Sequence, residues 1–299
     1  MALPLSREFA CAAATWSGAS WPVLRPVGYR SREFACAAST WSGDSWSTLR
    51  PVGYIESCFP EKFATPRQGA LVPDSRALLR IELEDGLDAA QALCGLELYS
   101  HAWLLWVFHL NGHAATRAKV APPRCRGERV GVFATRSPFR PNPLGLSLVR
   151  LLGVEGDRIS LSGIDLVNGT PVIDIKPYIP GYDAVSGLCK TPEWTNPSPL
   201  RVCFDATALD AIDQLCAHRE EPGRLLDAAA LRRTLQQALS ADPRPLYRWR
   251  REHKQTTSLY TVTIDGLSAR CRFEKIDGLS GPTDVVTVIS IHHAQRKSC

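Results

Sequence analysis

The sequence predicts a mainly β fold: a closed or nearly closed barrel followed by a small α+β domain. Three observations carry this. Leu79, Ile81 and Leu83 alternate with Arg80, Glu82 and Glu84, the period of a half-buried strand. Further strand patterns follow at 102–108, 130–135, 144–152, 158–164 and 171–175, with one helical interval, 87–94, among them. So few helices cannot supply the crossovers of a doubly wound sheet, which favours a closed or nearly closed barrel. Beyond residue 200 the period changes, with a strand at 202–204, amphipathic helices at 207–218 and 224–239, and strands again at 259–264, 269–273 and 285–291.

The order of elements divides the chain of 299 residues into four parts. Residues 1–50 form an extension, 51–183 the barrel, 184–199 a linker rich in Gly, Pro, Ser and Asn, and 200–299 the α+β domain. The extension contains a duplication: 6–29 recurs as 31–54, identical at 20 of 24 positions. Two copies are too few to bury a shared face as a solenoid does. Only the second copy runs on into the barrel, so 51–55 is predicted as the first strand and 1–30 as a loosely ordered tail. Trp16, Trp21, Trp41 and Trp46 lie in this extension without an assigned role.

Composition excludes several classes of function. No apolar run approaches the roughly 18 residues that cross a bilayer, the longest, 102–110, being interrupted by His109. No basic segment leads into an apolar one at the N-terminus, so no secretory signal is expected. The cytosol is the expected location, with nucleus and mitochondrion left open. Ten cysteines are scattered without a CxxC pair and read as free thiols. His292 and His293 are adjacent and face opposite sides of a strand, so no metal site is expected. The motifs GxGxxG, GxxxxGK and HExxH are absent, which removes the main support for a dinucleotide dehydrogenase, a P-loop enzyme or a zincin. Charge is concentrated: 117–140 holds seven Lys/Arg and one Glu, and 244–254 five Lys/Arg and one Glu. Two basic segments on a slightly acidic body suit a phosphate-tracking surface.

Chemistry is sought first in 132–147, VFATRSPFRPNPLGLS, read as a strand running into a loop. Prolines at 138, 141 and 143 bar regular structure, leaving backbone groups for a ligand, and Arg136 and Arg140 present forked donors for carboxylate or phosphate. In 163–178, GIDLVNGTPVIDIKPY, Asn168-Gly169 signals a turn between two strands, and Asp165 and Asp174 are candidates for acid–base work. In DPRPLY, 242–247, two prolines hold Arg244 extended.

PRQ at 66–68, GVFATRSPFRPNPLGLS at 131–147, DLVNGTPVIDIKPYIPGYD at 165–183 and DPRPLY at 242–247, in this order, resemble the TrmO/TsaA-like (VirR-like) tRNA methyltransferases. GYIESCF, FHLNGH and the IPGYD ending look closer to the animal members. The resemblance covers residue 51 to the C-terminus; the duplicated extension is no part of the pattern, and Asn168 stands where bacterial members carry Asp.

The resemblance implies a single-sheet, non-Rossmann β-barrel that binds S-adenosylmethionine, a C-terminal α+β domain and a homodimer. It implies N6-methylation of threonylcarbamoyladenosine at position 37 in the tRNA anticodon loop. It assigns the cofactor to Pro66, Arg67, Gln68, His109, Leu110, Arg136, Leu146, Asp165, Leu166, Val167 and Asn168. Asp165 and Asp174 are the candidate bases, and Arg140, Lys176, Arg244 and Tyr247 the candidate substrate contacts. Two rival readings are an RNA-binding module that has lost catalysis and a small-molecule methyltransferase using the same pocket.

Overall fold

The computed structural model describes residues 49–84, 86–111, 117–122, 128–195, 198–217, 225–245, 248, 257–278 and 281–294. The duplicated segment before residue 49 and Tyr247 lie outside them. Six strands form the barrel: β1 (Gly53–Ser57), β2 (Arg76–Ile81), β3 (His101–Val107), β6 (Leu144–Glu155), β7 (Arg158–Ser162) and β8 (Pro171–Pro177). They are hydrogen-bonded in the cyclic order β1-β2-β7-β6-β3-β8, every pairing antiparallel, so the sheet closes and leaves no open edge. Alternation decides what points inward: Ala77, Leu79 and Ile81 from β2 and Ala102, Leu104 and Trp106 from β3 are buried. Strand β6 serves two neighbours, pairing with β3 through residue 150 and with β7 from there on, with a register shift between Leu151 and Gly153. The short pair β4 (Lys119–Val120) and β5 (Val130–Gly131) lies outside the barrel.

Two local expectations are corrected. The strand expected over 130–135 stops at Gly131, and Val132–Ala134 form a 3-10 turn because Thr135 donates its N–H and its hydroxyl back to the Val132 carbonyl. Asn168-Gly169 does turn, with Gly169 at φ +78°, but β7 and β8 do not pair across it. The turn docks on the first strand instead: Ser57 N–H donates to Asn168 Oδ1, Asn168 N–H to Phe59 O and Gly169 N–H to Ile55 O.

The C-terminal part is a four-stranded sheet ordered β10 (Thr257–Ile264), β11 (Leu267–Gly278), β12 (Gly281–His293), β9 (Arg201–Phe204), with β9 parallel to β12. Helices α3 (Ala206–Ala217) and α4 (Ala228–Ser240) accompany it, and the shorter α1 (Ala89–Leu93) and α2 (Pro180–Asp183) precede it. In α4, Leu231, Leu235 and Leu239 recur at helical spacing on the buried side. Asp227 caps its start by accepting from Ala230 N–H at 2.7 Å. The β10–β11 hairpin turns on Asp265 and Gly266, at φ +51° and +75°, the two left-handed residues that a tight hairpin requires.

One continuous apolar core runs from the barrel into this layer. Phe59, Leu79, Leu104, Leu161, Leu231 and Leu235 are among its fully buried side chains, each contributing roughly 2 kcal/mol. Polar contacts fix the register of the two parts. Asp265 N–H donates to Cys58 O at 2.7 Å, and the Tyr260 hydroxyl to Phe63 O at 3.3 Å. Asp74 accepts from Arg233 Nε at 2.8 Å and from Gln237 Nε2 at 2.7 Å, both on α4.

Burial alone would raise the Asp74 carboxyl; the hydrogen bonds from Arg233 and Gln237, with the charges of Arg233 and Arg76, outweigh it and hold the group below its ordinary 3.8. A carboxyl lowered on folding contributes stability that is complete above its unfolded pKa and lost as the pH falls through its folded one. Replacing Asp74 with Ala should lower the unfolding free energy by about 1 kcal/mol at pH 7, given the exposure of Arg233. Denaturant titrations at a series of pH values should show that difference fading as the pH falls below 3.8.

Candidate active site

The site begins with a close crossing of two backbones. A Cβ at Gly69 would lie 1.9 Å from the Gly163 carbonyl oxygen, so the 66–69 loop can pass over 163–168 only with glycine there. Buried Pro66 anchors this loop, and a 3-10 turn over Gly69–Leu71 follows. From below, the Ser75 hydroxyl accepts from Ile164 N–H at 2.7 Å. Ile164 and Leu166 point into the core, which turns Asp165 between them the other way, toward β6 and the loop.

Asp165 Oδ1 accepts from the Ser147 hydroxyl at 2.5 Å, and Ser147 Oγ in turn accepts from Trp106 Nε1 at 2.9 Å. Burial pushes the Asp165 carboxyl up to about 6, against hydrogen bonds from Ser147 and from the N–H groups of Asp165 and Gly69, and against the charge of Arg136. A carboxylate so placed is a stronger base than an ordinary one and is still mostly ionised at pH 7.

Cations and loop backbone form the rim. Arg136 is exposed and its charge acts on Asp165, and the half-buried Arg140 donates to Thr135 O at 3.4 Å. The proline loop is held by Asn111 Nδ2 donating to Pro138 O at 2.8 Å and Phe108 N–H donating to Pro143 O at 2.8 Å. Lys62 Nζ donates to the Leu110 carbonyl. Burial, with the charge of Lys62, holds His109 below its ordinary pKa, so its imidazole is neutral at pH 7.

Arg136 and the Gly69 end of the PRQ loop thus meet at Asp165, whereas the Arg67 side chain reaches the Asp242 and Arg244 carbonyls; His109 and Leu110 lie beside Lys62. Leu166 lies in the core, Val167 is half-buried, and the Asn168 side chain is occupied by Ser57. Three expected residues lie on the barrel's outer face. Leu146, 55% exposed, stands across from Leu105, and Leu105 from Asp174, on one rung of the sheet. Lys176 pairs with Asp174 at 2.8 Å. Asp165 and Asp174 therefore do not form a pair, because strand alternation turns Asp174 outward.

Arg244 is also placed differently from its expected role as a substrate cation. It is 7% exposed, its Nε and Nη2 donate to Asp242 at 2.8 and 2.9 Å, and it lies over the Phe273 ring at 4.0 Å. The prolines do preset it, but toward its own loop. The carbonyls of Asp242 and Arg244 accept from Arg67 Nη2 at 3.4 and 3.5 Å, so the PRQ and DPRP segments meet. Sequence reasoning missed Ser147, Trp106, Gly69 and Asp242; the alternation of Gly145 and Ser147 on one strand face was the available signal for two inward positions. Among the described residues no three His, Cys, Asp or Glu cluster as a metal site, and no helix is long and apolar enough to cross a membrane.

Arg244→Ala should cost about 2 kcal/mol of stability in denaturant titration, since it strips a half-buried carboxylate of its partner and removes a buried cation from an aromatic face. A loss below 0.5 kcal/mol would return Arg244 to the substrate.

Residues 54–184 match the model of the tRNA-methyltransferase O N-terminal domain. A mouse protein named tRNA (adenine(37)-N6)-methyltransferase is 53% identical over 134 residues, 45% of this chain and 31% of that one. The chain thus spans about a third of this mammalian relative. RcsF of Pseudomonas aeruginosa, named as an S-adenosylmethionine-dependent methyltransferase, is 44% identical over 198 residues, 64% of this chain and 80% of that protein. A crystal structure of TrmO from the same bacterium superimposes with a TM-score of 0.63 at 33% identity, covering 85% of this chain and all of that one. By the barrel, the extent of these matches and their identities, the chain belongs to the TrmO family of tRNA methyltransferases.

Proposed function

We propose that this chain is an S-adenosylmethionine-dependent tRNA methyltransferase that methylates N6 of threonylcarbamoyladenosine at position 37. The observation that carries the reading is the half-buried Asp165 carboxylate, its carboxyl raised to about 6, at the meeting of the loop ending at Gly69 with Arg136. The names of the mouse and Pseudomonas relatives support the class of reaction and the methyl donor.

The donor set fits this cofactor. Arg136 offers a forked partner for its carboxylate, Asp165 a negative charge for its cationic part, and Leu110 an exposed apolar side chain. When bound, the cofactor supplies an electrophilic methyl group on a sulfonium. The chain has to align the acceptor, exclude water and remove a proton. The acceptor nitrogen belongs to a urea whose lone pair is delocalised, and Asp165 takes its proton. Arg140, between Pro138 and Pro141 in the proline loop, is the forked cation assigned to the threonyl carboxylate. Anticodon-loop bases splay out of the stack, and the exposed Phe133 and Phe139 offer faces beside Arg117 and Arg136. Leu146 and Asp174 on the outer face join the site in our reading through a second copy of the chain, which makes the working form a homodimer. The cytoplasm is the proposed location.

Nucleoside mass spectrometry of tRNA incubated with the protein and S-adenosylmethionine tests this. Methylated threonylcarbamoyladenosine is expected, with no product from tRNA lacking the threonylcarbamoyl group; equal product from both would remove the substrate assignment, and none from either the activity. In calorimetry, Arg136→Ala should weaken cofactor binding at least tenfold, and unchanged affinity would remove Arg136 from the cofactor site.

A further inference from the structure

The inner face of β6 carries Gly145 and Ser147 two residues apart, opposite Trp106 and Leu104 of β3. A Cβ at 145 would lie 2.3 Å from the Trp106 indole, so the ring occupies space that only glycine leaves. Phe108 meets the same ring edge-on at 4.3 Å. Pinned in this way, the indole can point its N–H at Ser147 Oγ. An indole nitrogen only donates, so the serine oxygen accepts there, and its single hydrogen goes to Asp165 Oδ1. The chain of bonds runs one way, from indole to hydroxyl to carboxylate.

We propose that Trp106 and Ser147 form a positioning relay that holds Asp165 ionised and oriented as the proton acceptor of the methylation. The inference rests on the reading of the site given above. An ionised carboxylate has about four lone-pair positions. The Ser147 hydroxyl takes one of them, the Gly69 N–H also favours the charged form, and positions remain for the substrate. Arg136 is the charged group that acts on Asp165. In the step, the acceptor N–H bond breaks and its proton goes to Asp165. The nitrogen electron pair forms the new N–CH3 bond, and the bond from that methyl to the donor's sulfonium sulfur breaks with its electrons left on sulfur. Ser147 and Trp106 touch none of the reacting atoms and act through the carboxylate.

Ser147→Ala removes a hydrogen bond that favours the charged carboxylate. Its acid limb in the pH–rate profile should move up by at least half a pH unit, with kcat at pH 6 down at least twofold and KM for tRNA within twofold. Ser147→Thr, which keeps the hydroxyl, should restore the wild-type limb. Trp106→Phe, which frees the serine hydrogen to rotate, should shift the limb in the same direction by less. Carbon-13 titration of Asp165 in the free protein reads the same relay without tRNA or cofactor, so it stands even if the assigned reaction fails. An upward shift in Ser147→Ala supports the relay. An unchanged Asp165 midpoint in Ser147→Ala overturns it; if that variant does not fold, an unchanged midpoint in Trp106→Phe does so.

Discussion

Keeping one carboxylate charged inside the protein is the constraint on which the site depends. Taking Asp165 out of water costs free energy unless donors replace the water. The Ser147 hydroxyl, the Gly69 N–H and the Arg136 charge are those replacements, and each reaches Asp165 from a different segment. They compensate only in part, since the group still rises from 3.8 to about 6. A carboxyl raised on folding contributes stability that is complete below its unfolded pKa and lost as the pH rises through its folded one. Near neutral pH the fold therefore carries a penalty of about 3 kcal/mol, to order of magnitude, for keeping that carboxylate ionised.

The surrounding architecture follows from that arrangement. The close crossing at Gly69 and Gly163 brings the loop's N–H groups to the carboxylate, and the closed sheet gives the crossing a fixed floor. Arg67 carries the contact outward to the carbonyls of Asp242 and Arg244, and Arg244 spends its charge in holding that loop. The C-terminal layer thereby supports the 66–69 loop.

Much of the fold was legible because periodicity reports burial directly. The alternation around Leu79 and the helical spacing of Leu231, Leu235 and Leu239 each mark one buried side, and both elements lie where that pattern puts them. The strand expected at 130–135 stopped early because a side-chain hydroxyl, Thr135, competes for the backbone, which hydrophobic pattern does not register. In the site, the Pro-rich loop and the cations beside it were visible as composition. The separation of Asp165 from Asp174 was not, since it depends on which side of a closed sheet each residue faces. Arg244 was hidden for a related reason: the prolines fix its backbone, whereas its partners Asp242 and Phe273 are set by tertiary packing.

The central claim is that Asp165 takes the proton, and the pH dependence of single-turnover tRNA methylation by wild type and Asp165→Asn tests it most directly. The account predicts a wild-type rate that rises with pH through about 6, as the carboxyl ionises, and then levels. Asp165→Asn should be slower by roughly 100-fold or more at pH 7.5, with no inflection near 6. A variant that keeps the wild-type inflection and loses less than threefold in rate would contradict it.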